Sequence, residues 1–327
     1  MRTHSSRRRR ALTAAAVVAG LLVAAGVAVP ASAASTKQVE LHVVQWNIEG
    51  GHDTRLQQIP NLAKGLAHRP DVLFIEEVCR SEVQQMHRLA YFKGWHFVYK
   101  TSQQSKPGTC AKATGISHPY QQGQVVASPH AMSAQHNYRL PGRTHKGEAS
   151  AHGTPSPQRQ FWLTCTNLAF SGVRGGSLRA CGTHLRPGFN EPYEAPERLD
   201  ETNAIRSITN GFRAQGQQVV LGGDFNTTPT GAAMNPIYQL DDKGTDHGAG
   251  HFVEADQNDK TYFGHDSACT SRYHCRSGEG TQIATPNKID YVFYTAGATG
   301  VGGGRGPALN SDHYRLVSTA FLKLPRS

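Results

Sequence analysis

Apolar residues along this chain gather into short runs, rich in β-branched and aromatic side chains and closed by polar or glycine-containing segments. The runs fall at residues 39–46, 72–75, 124–127, 161–169, 178–185, 219–221, 289–294 and 316–321. Their lengths and composition predict strands. Between several of them the period changes to that of a helix. Residues 55–68 place Leu56, Ile59, Leu62, Ala63 and Leu66 on one face. Residues 81–90 and 195–213 read the same way, the former opening on Ser81 as a helix cap. Strands interleaved with helices, plus a hairpin that turns through the glycine-rich residues 171–176, predict an α/β or α+β domain on mixed sheets. Two long polar stretches, residues 138–158 and 241–287, predict loops, the second ordered only by a short FVEAD run and two cysteines. No internal repeat or linker is visible, which predicts one domain over residues 34–327.

The first 33 residues read differently. Four arginines, Arg7 to Arg10, precede an apolar run to Val29, and Ala31-Ser32-Ala33 offers a small-residue cleavage site. That order predicts a secretory signal peptide cleaved near Ala33. A membrane anchor is the alternative, because the run approaches spanning length, but Pro30 and the adjoining small residues favour cleavage. Export changes the charge picture. The full chain has 34 basic and 24 acidic side chains, a net of +10, and removing residues 1–34 takes away five arginines and no acid. About 293 residues with a net charge of +5 remain, compatible with a polyanionic partner without requiring one. Six cysteines in an exported chain predict disulfides, and six admit 15 pairings. The sequence-local set is Cys79–Cys110, Cys165–Cys181 and Cys269–Cys275, with Cys165 and Cys181 facing each other across the predicted hairpin. No CxxC pair or HExxH supports a zinc site.

The placement of polar residues relative to the strands is more informative. Asn47 ends the first run, Glu76 and Glu77 end the second, His184 closes another, and Asp224 and Asn226 follow VVLGG. Asp290 lies inside the apolar KIDYVF, while Asp312 and His313 precede the last strand. Strand ends aim side chains into one crevice. Singly, each has an ordinary reading as a turn, cap or structural residue, except that a carboxylate within KIDYVF must be paired. Together they supply phosphoryl chemistry. Oxygen donors from Asn47, Glu77 and Asp312 suit a hard cation, Mg²⁺ or alternatively Mn²⁺ or Ca²⁺. His313 can activate water, Asp290 can orient it, and Asn226 and His184 can steady the phosphate oxygens.

WN near the start, PDVLFIEE, GTHL, GGDFN, KIDYVF and SDHYRLV, in that order, resemble the endonuclease/exonuclease/phosphatase superfamily, DNase I-like enzymes among them, from about residue 41 to 321. The resemblance implies a four-layer α/β/β/α sandwich with two face-to-face mixed β-sheets. It implies Glu77 as metal ligand beside Asn47, with Asp312 near the metal. Asp224 and Asn226 would position water and phosphate, His184 would contact the phosphate, and Asp290–His313 would be the acid–base dyad. Two positions depart from the pattern. Glu76 stands where the family usually has Gln, adding a charge beside the metal ligand. Pro129 and His130 follow GQVVAS, where many relatives have an Arg that contacts phosphate.

Such folds share chemistry and differ in loops. Export and the basic residues Arg139, Arg143, Lys146 and Arg159 point to an extracellular nuclease acting on nucleic acid, with Arg143 and Lys146 as substrate contacts. A sphingomyelinase or phospholipase C-type enzyme acting on phospholipid is the alternative, although the long loops show no exposed aromatic run. A non-catalytic or toxin-like member that needs a partner is a third reading. A monomer without a stable protein partner is expected.

Overall fold

Twelve strands and two α-helices are found in the computed structural model, which describes residues 35–51, 68–104, 110–111, 113–115, 120–142, 160–188, 194–239, 248–257, 276 and 278–327. The strands are β1 (Thr36–Asn47), β2 (Val72–Cys79), β3 (His96–Gln104), β4 (Gln121–Ser128), β5 (Met132–Arg139), β6 (Trp162–Leu168), β7 (Leu178–His184), β8 (Gln218–Asp224), β9 (Phe252–Glu254), β10 (Asp290–Thr295), β11 (Thr299–Arg305) and β12 (Leu316–Pro325). Helix α1 is Arg80–Met86 and α2 is Glu194–Ala214.

The strands form two six-stranded mixed sheets, in the orders β11-β12-β1-β2-β4-β3 and β5-β6-β7-β8-β10-β9. Each has one parallel pair at its centre, β1–β2 and β7–β8. A parallel pair needs a crossover to carry the chain back. In the second sheet that crossover is α2. In the first, the helix expected over residues 55–68 falls between β1 and β2, and all of it but His68 lies outside the described residues. Three apolar clusters mark the layers. Val43, Phe74, Val126, Ala180, Val220 and Val292 pack between the sheets. Leu163, Cys181, Leu221 and Phe293 pack with Ile205 of α2 on the outer face of the second sheet. Trp46, Ile75 and Trp95 pack with Val83 of α1 on the outer face of the first. The expected four-layer sandwich is therefore the fold, and Ser35–Ser327 is one compact unit.

All eight apolar runs become strands. Cys79–Cys110 and Cys165–Cys181 are disulfides as expected, the second joining directly paired residues of the β6–β7 hairpin. Cys269 and Cys275 lie outside the described residues. One detail of the helix reading is corrected: α1 starts at Arg80, so Ser81 sits within its first turn. Glu82 does the capping, its Oε2 accepting from the Cys79 N–H at 2.7 Å. The FVEAD run supplies β9. Among the described residues no helix is long and apolar enough to cross a membrane.

Candidate active site

Strand register sets the site. In the first sheet Asn47 pairs with Glu76. In the second, His184, Asp224 and Asp290 stand in one row across β7, β8 and β10. Alternation then decides which of these residues face between the sheets. Val43 and Phe74, Ala180 and Val220 belong to the inter-sheet core, so Gln45 and Asn47, Glu76, His184 and Asp224 continue the same faces toward one end. The sandwich is therefore apolar through its middle and polar at that end, and the two rows meet. Asn47 Nδ2 donates to Asp224 Oδ2 at 3.1 Å, and Gln45 Nε2 donates to Asp290 Oδ1 at 2.8 Å.

Two left-handed residues aim side chains that regular strands would misdirect. The β2–β4 register shifts between Ile75 and Val78, and Glu77 within that bulge has φ 56°. The bulge brings Glu77 Oε1 to 3.4 Å from Asn47 Nδ2 and 4.0 Å from His184 Nε2. Asn226 has φ 49°, closing the GGDFN turn, and its Nδ2 donates to Leu185 O at 3.1 Å while its N–H donates to Asp224 Oδ1 at 2.8 Å. The glycines of that motif are steric. A Cβ on Gly222 would overlap the Phe74 ring, and one on Gly223, at φ 150°, would overlap Thr183 O.

Asp290 is fully buried, and its Oδ2 lies 2.8 Å from His313 Nδ1. The segment leading into β12 is pinned so that this pair forms. Trp46 Nε1 donates to His313 O, Ser311 Oγ donates to Asn47 O, and His313 N donates back to Ser311 Oγ. Part of the long polar stretch also serves here: Tyr314 N donates to Thr281 O and Ile283 N to Asp312 O. Burial opposes charge on Asp290, but the charge and hydrogen bond of His313 outweigh it and hold its pKa below the usual carboxylate value. Burial likewise opposes charge on His313, yet Asp290, then Asp224 and Asp312, raise its pKa to about 11. Asp224 is pushed up to about 7, by burial first and Asp290 next.

The expectation of an added charge at Glu76 is corrected. Glu76 is 1 % exposed and points between the sheets, accepting from Gln45 Nε2 at 2.8 Å. Burial first, and repulsion from Asp290 next, raise its pKa well above the usual value, so its surroundings oppose the charge expected there. The position after GQVVAS also has a different meaning. His130 Nε2 lies 2.7 Å from Asp71 Oδ1, just before β2 begins, at the opposite end of that strand from Glu77. Loss of an Arg there removes no contact at this site.

The structure brings together Asn47, Glu77, His184, Asp224, Asn226, Asp290 and His313. His184 Nε2 is 3.7 Å from Asp224 Oδ2. Asp312 is exposed, beside His313 but outside the buried cluster. Arg143, Lys146 and Arg159 lie outside the described residues. Sequence reasoning missed Gln45, Ser311, Thr281 and Gln122, whose Nε2 donates to Glu77 O at 3.1 Å. Gln45, two residues before Asn47 and so on its face of β1, carried the one available signal.

The donor set suits a divalent cation. Ligand atoms of Asp224, Asp290 and His313 all lie within 4.8 Å of one another. Glu77 and Asn47 add hard oxygen donors beside Asp224.

This fold and this row of residues define a phosphoesterase class. The chain belongs to the endonuclease/exonuclease/phosphatase family, whose sequence profile matches residues 44–313. Solved structures agree on the fold. An endonuclease/exonuclease/phosphatase from Beutenbergia cavernae is 18% identical, with TM-score 0.61 over 87% of this chain and 72% of that one. Truncated Caenorhabditis elegans TDP2 is 16% identical, with TM-score 0.55 over 86% of this chain and 98% of that one. The human Nocturnin catalytic domain with bound sulfate anion is 17% identical, with TM-score 0.52 over 88% and 97%. No curated protein matches the chain. Members of this family are phosphoesterase hydrolases that generally use divalent metals.

Proposed function

We propose that the protein is an exported, divalent-metal-dependent phosphodiesterase, and an extracellular nuclease in particular. The observation that carries this reading is the buried Asp290–His313 pair at 2.8 Å, facing Asp224, Asn47 and Glu77 across the end of the sandwich. Asp290 holds the His313 Nδ1 proton and leaves Nε2 toward the cleft; a divalent cation bound beside it would oppose the charge on the ring, lower its raised pKa and free Nε2 to take a proton from the attacking water. Asp224 and Asn226 orient that water and the phosphate, and His184 donates to a non-bridging oxygen. Glu77 and Asn47, with Asp312 at the rim, would hold Mg²⁺, which when bound offsets charge on the phosphate oxygens. The two disulfides and residues 1–33 fit export. The basic residues on and after β5 favour a polynucleotide over a phospholipid.

The exported chain, assayed against plasmid DNA, RNA, sphingomyelin vesicles and bis(p-nitrophenyl) phosphate with Mg²⁺ or EDTA, should cleave nucleic acid only with the metal. His313→Ala should lose about 10²–10⁴-fold in kcat. Failure to turn over any of the four sinks the enzymatic reading. Cleavage of sphingomyelin alone moves the substrate to lipid.

A further inference from the structure

Lys100 has no role in the chemistry above, yet it points into the same cleft. Its ladder partner in β4 is Gln124, whose Nε2 crosses between the sheets to donate to Trp162 O, Thr164 Oγ1 and Gly182 O at 3.1, 3.0 and 2.9 Å. Paired residues of adjacent strands share a face, so Lys100 enters the inter-sheet space too. Its Nζ stands 3.7 Å from the centroid of the Trp162 ring. Among the described residues no carboxylate or carbonyl accepts from it. Partial burial holds its pKa below the usual lysine value. An indole face attracts a cation but does not neutralise it, so the ammonium keeps its charge available.

The location gives that charge a purpose. Leu163 pairs with Thr183, which sets Trp162 beside His184 in the neighbouring strand. Arg139 pairs with Trp162 from the far side and is exposed. In the facing sheet, β3 lies two strands from β2, which carries Glu77, a lateral offset of roughly 10 Å. A substrate with its reacting phosphate at His184 and Glu77 would therefore bring a neighbouring part of itself to Lys100. A lipid such as sphingomyelin has one phosphodiester, which would already be engaged at the centre. A polynucleotide has another phosphate next along the chain.

We propose that Lys100, seated on Trp162, forms a subsite for the backbone phosphate flanking the scissile one in a single-stranded stretch of nucleic acid. This rests on the nuclease reading for the identity of the polymer. The test is equilibrium binding of a short labelled oligothymidylate to the exported chain in EDTA, measured across a salt series, beside Mg²⁺-supported hydrolysis of bis(p-nitrophenyl) phosphate, which lacks a flanking phosphate. Lys100→Met should weaken oligothymidylate binding about tenfold and reduce the slope of log K against log salt by about 0.7. Lys100→Arg should restore both, and hydrolysis of the small ester should be unchanged in each variant. The subsite is overturned if the wild type does not bind oligothymidylate, if the Met variant keeps the wild-type slope, or if Arg fails to restore it. It is also overturned if the loss appears only with phosphatidylglycerol vesicles. The two readings separate: a reduced slope in a protein that cleaves no polynucleotide keeps the subsite and removes the nuclease, whereas cleavage with an unchanged slope does the reverse.

Discussion

Asp290 occupies a position that a strand would ordinarily give to an apolar side chain, and both its carboxylate oxygens and its backbone N–H are engaged. Oδ1 accepts from Gln45, Oδ2 meets His313, and its backbone N–H donates to Thr281 Oγ1 at 3.1 Å. Asp290→Asn keeps the shape but removes the charge that stabilises the imidazolium, and it can present an N–H to Nδ1 where an acceptor is needed. The variant should lose about 10²–10⁴-fold in kcat with little change in KM. NMR titration of the His313 ring should show its pKa falling toward the ordinary histidine value, and a pKa unmoved in the variant would break the proposed pairing. This residue was legible in the sequence because a carboxylate inside KIDYVF demands a partner. Gln45 and Ser311 were not, since an amide or hydroxyl near a strand end costs little anywhere and marks nothing. Glu76 was only half legible for a related reason: sequence cannot show that burial opposes its charge.

At the scale of elements, the GGDFN turn shows how a backbone requirement becomes a motif. Gly222 lies in the inter-sheet layer against Phe74, and Phe225 is buried beneath α2 while Asp224 and Asn226 face the cleft. Gly222→Ala should destabilise the protein by about 1–3 kcal/mol through overpacking. Because the shift would displace β8, and Asp224 with it, kcat should fall as well. Urea unfolding and turnover measured on one preparation check both, and wild-type stability in the variant would mean that the sheets can separate at no cost. The strands that sequence patterning found are those with an apolar face. Of those it missed, β5 is largely exposed and β11, TGVGGGR, has few apolar side chains and runs beside β12, whereas β3 does pack Phe97, Val98 and Tyr99 but offers only that three-residue apolar run before turning polar. The bulge that aims Glu77 left no trace beyond the Glu-Glu doublet, because its left-handed residue is a glutamate where a glycine would have signalled the turn.

For the whole molecule, the two sheets are joined at one end by apolar packing and at the other by a cluster that favours protonation. The raised Asp224 pKa means that the folded state binds that proton more tightly than the unfolded chain does. Its contribution to stability is thus fully present below 3.8 and is lost as the pH rises through about 7. His313, raised from 6.5 to about 11, acts in the same direction over a higher window. A divalent cation supplies positive charge without those protons, so its stabilisation should be larger near pH 8 than near pH 5. At a hundredfold excess over its Kd that stabilisation is about 2.7 kcal/mol. Asp224→Asn keeps the neutral shape at every pH. In EDTA at pH 8 it should therefore melt at a higher temperature than the wild type, while gaining much less from Mg²⁺ and losing turnover. Melting curves at the two pH values, with Mg²⁺ and with EDTA, measure all of these differences. If the variant melts below the wild type at pH 8 in EDTA, Asp224 stabilises the fold in its charged form, and the account of a site that sacrifices stability to bind a cation is wrong.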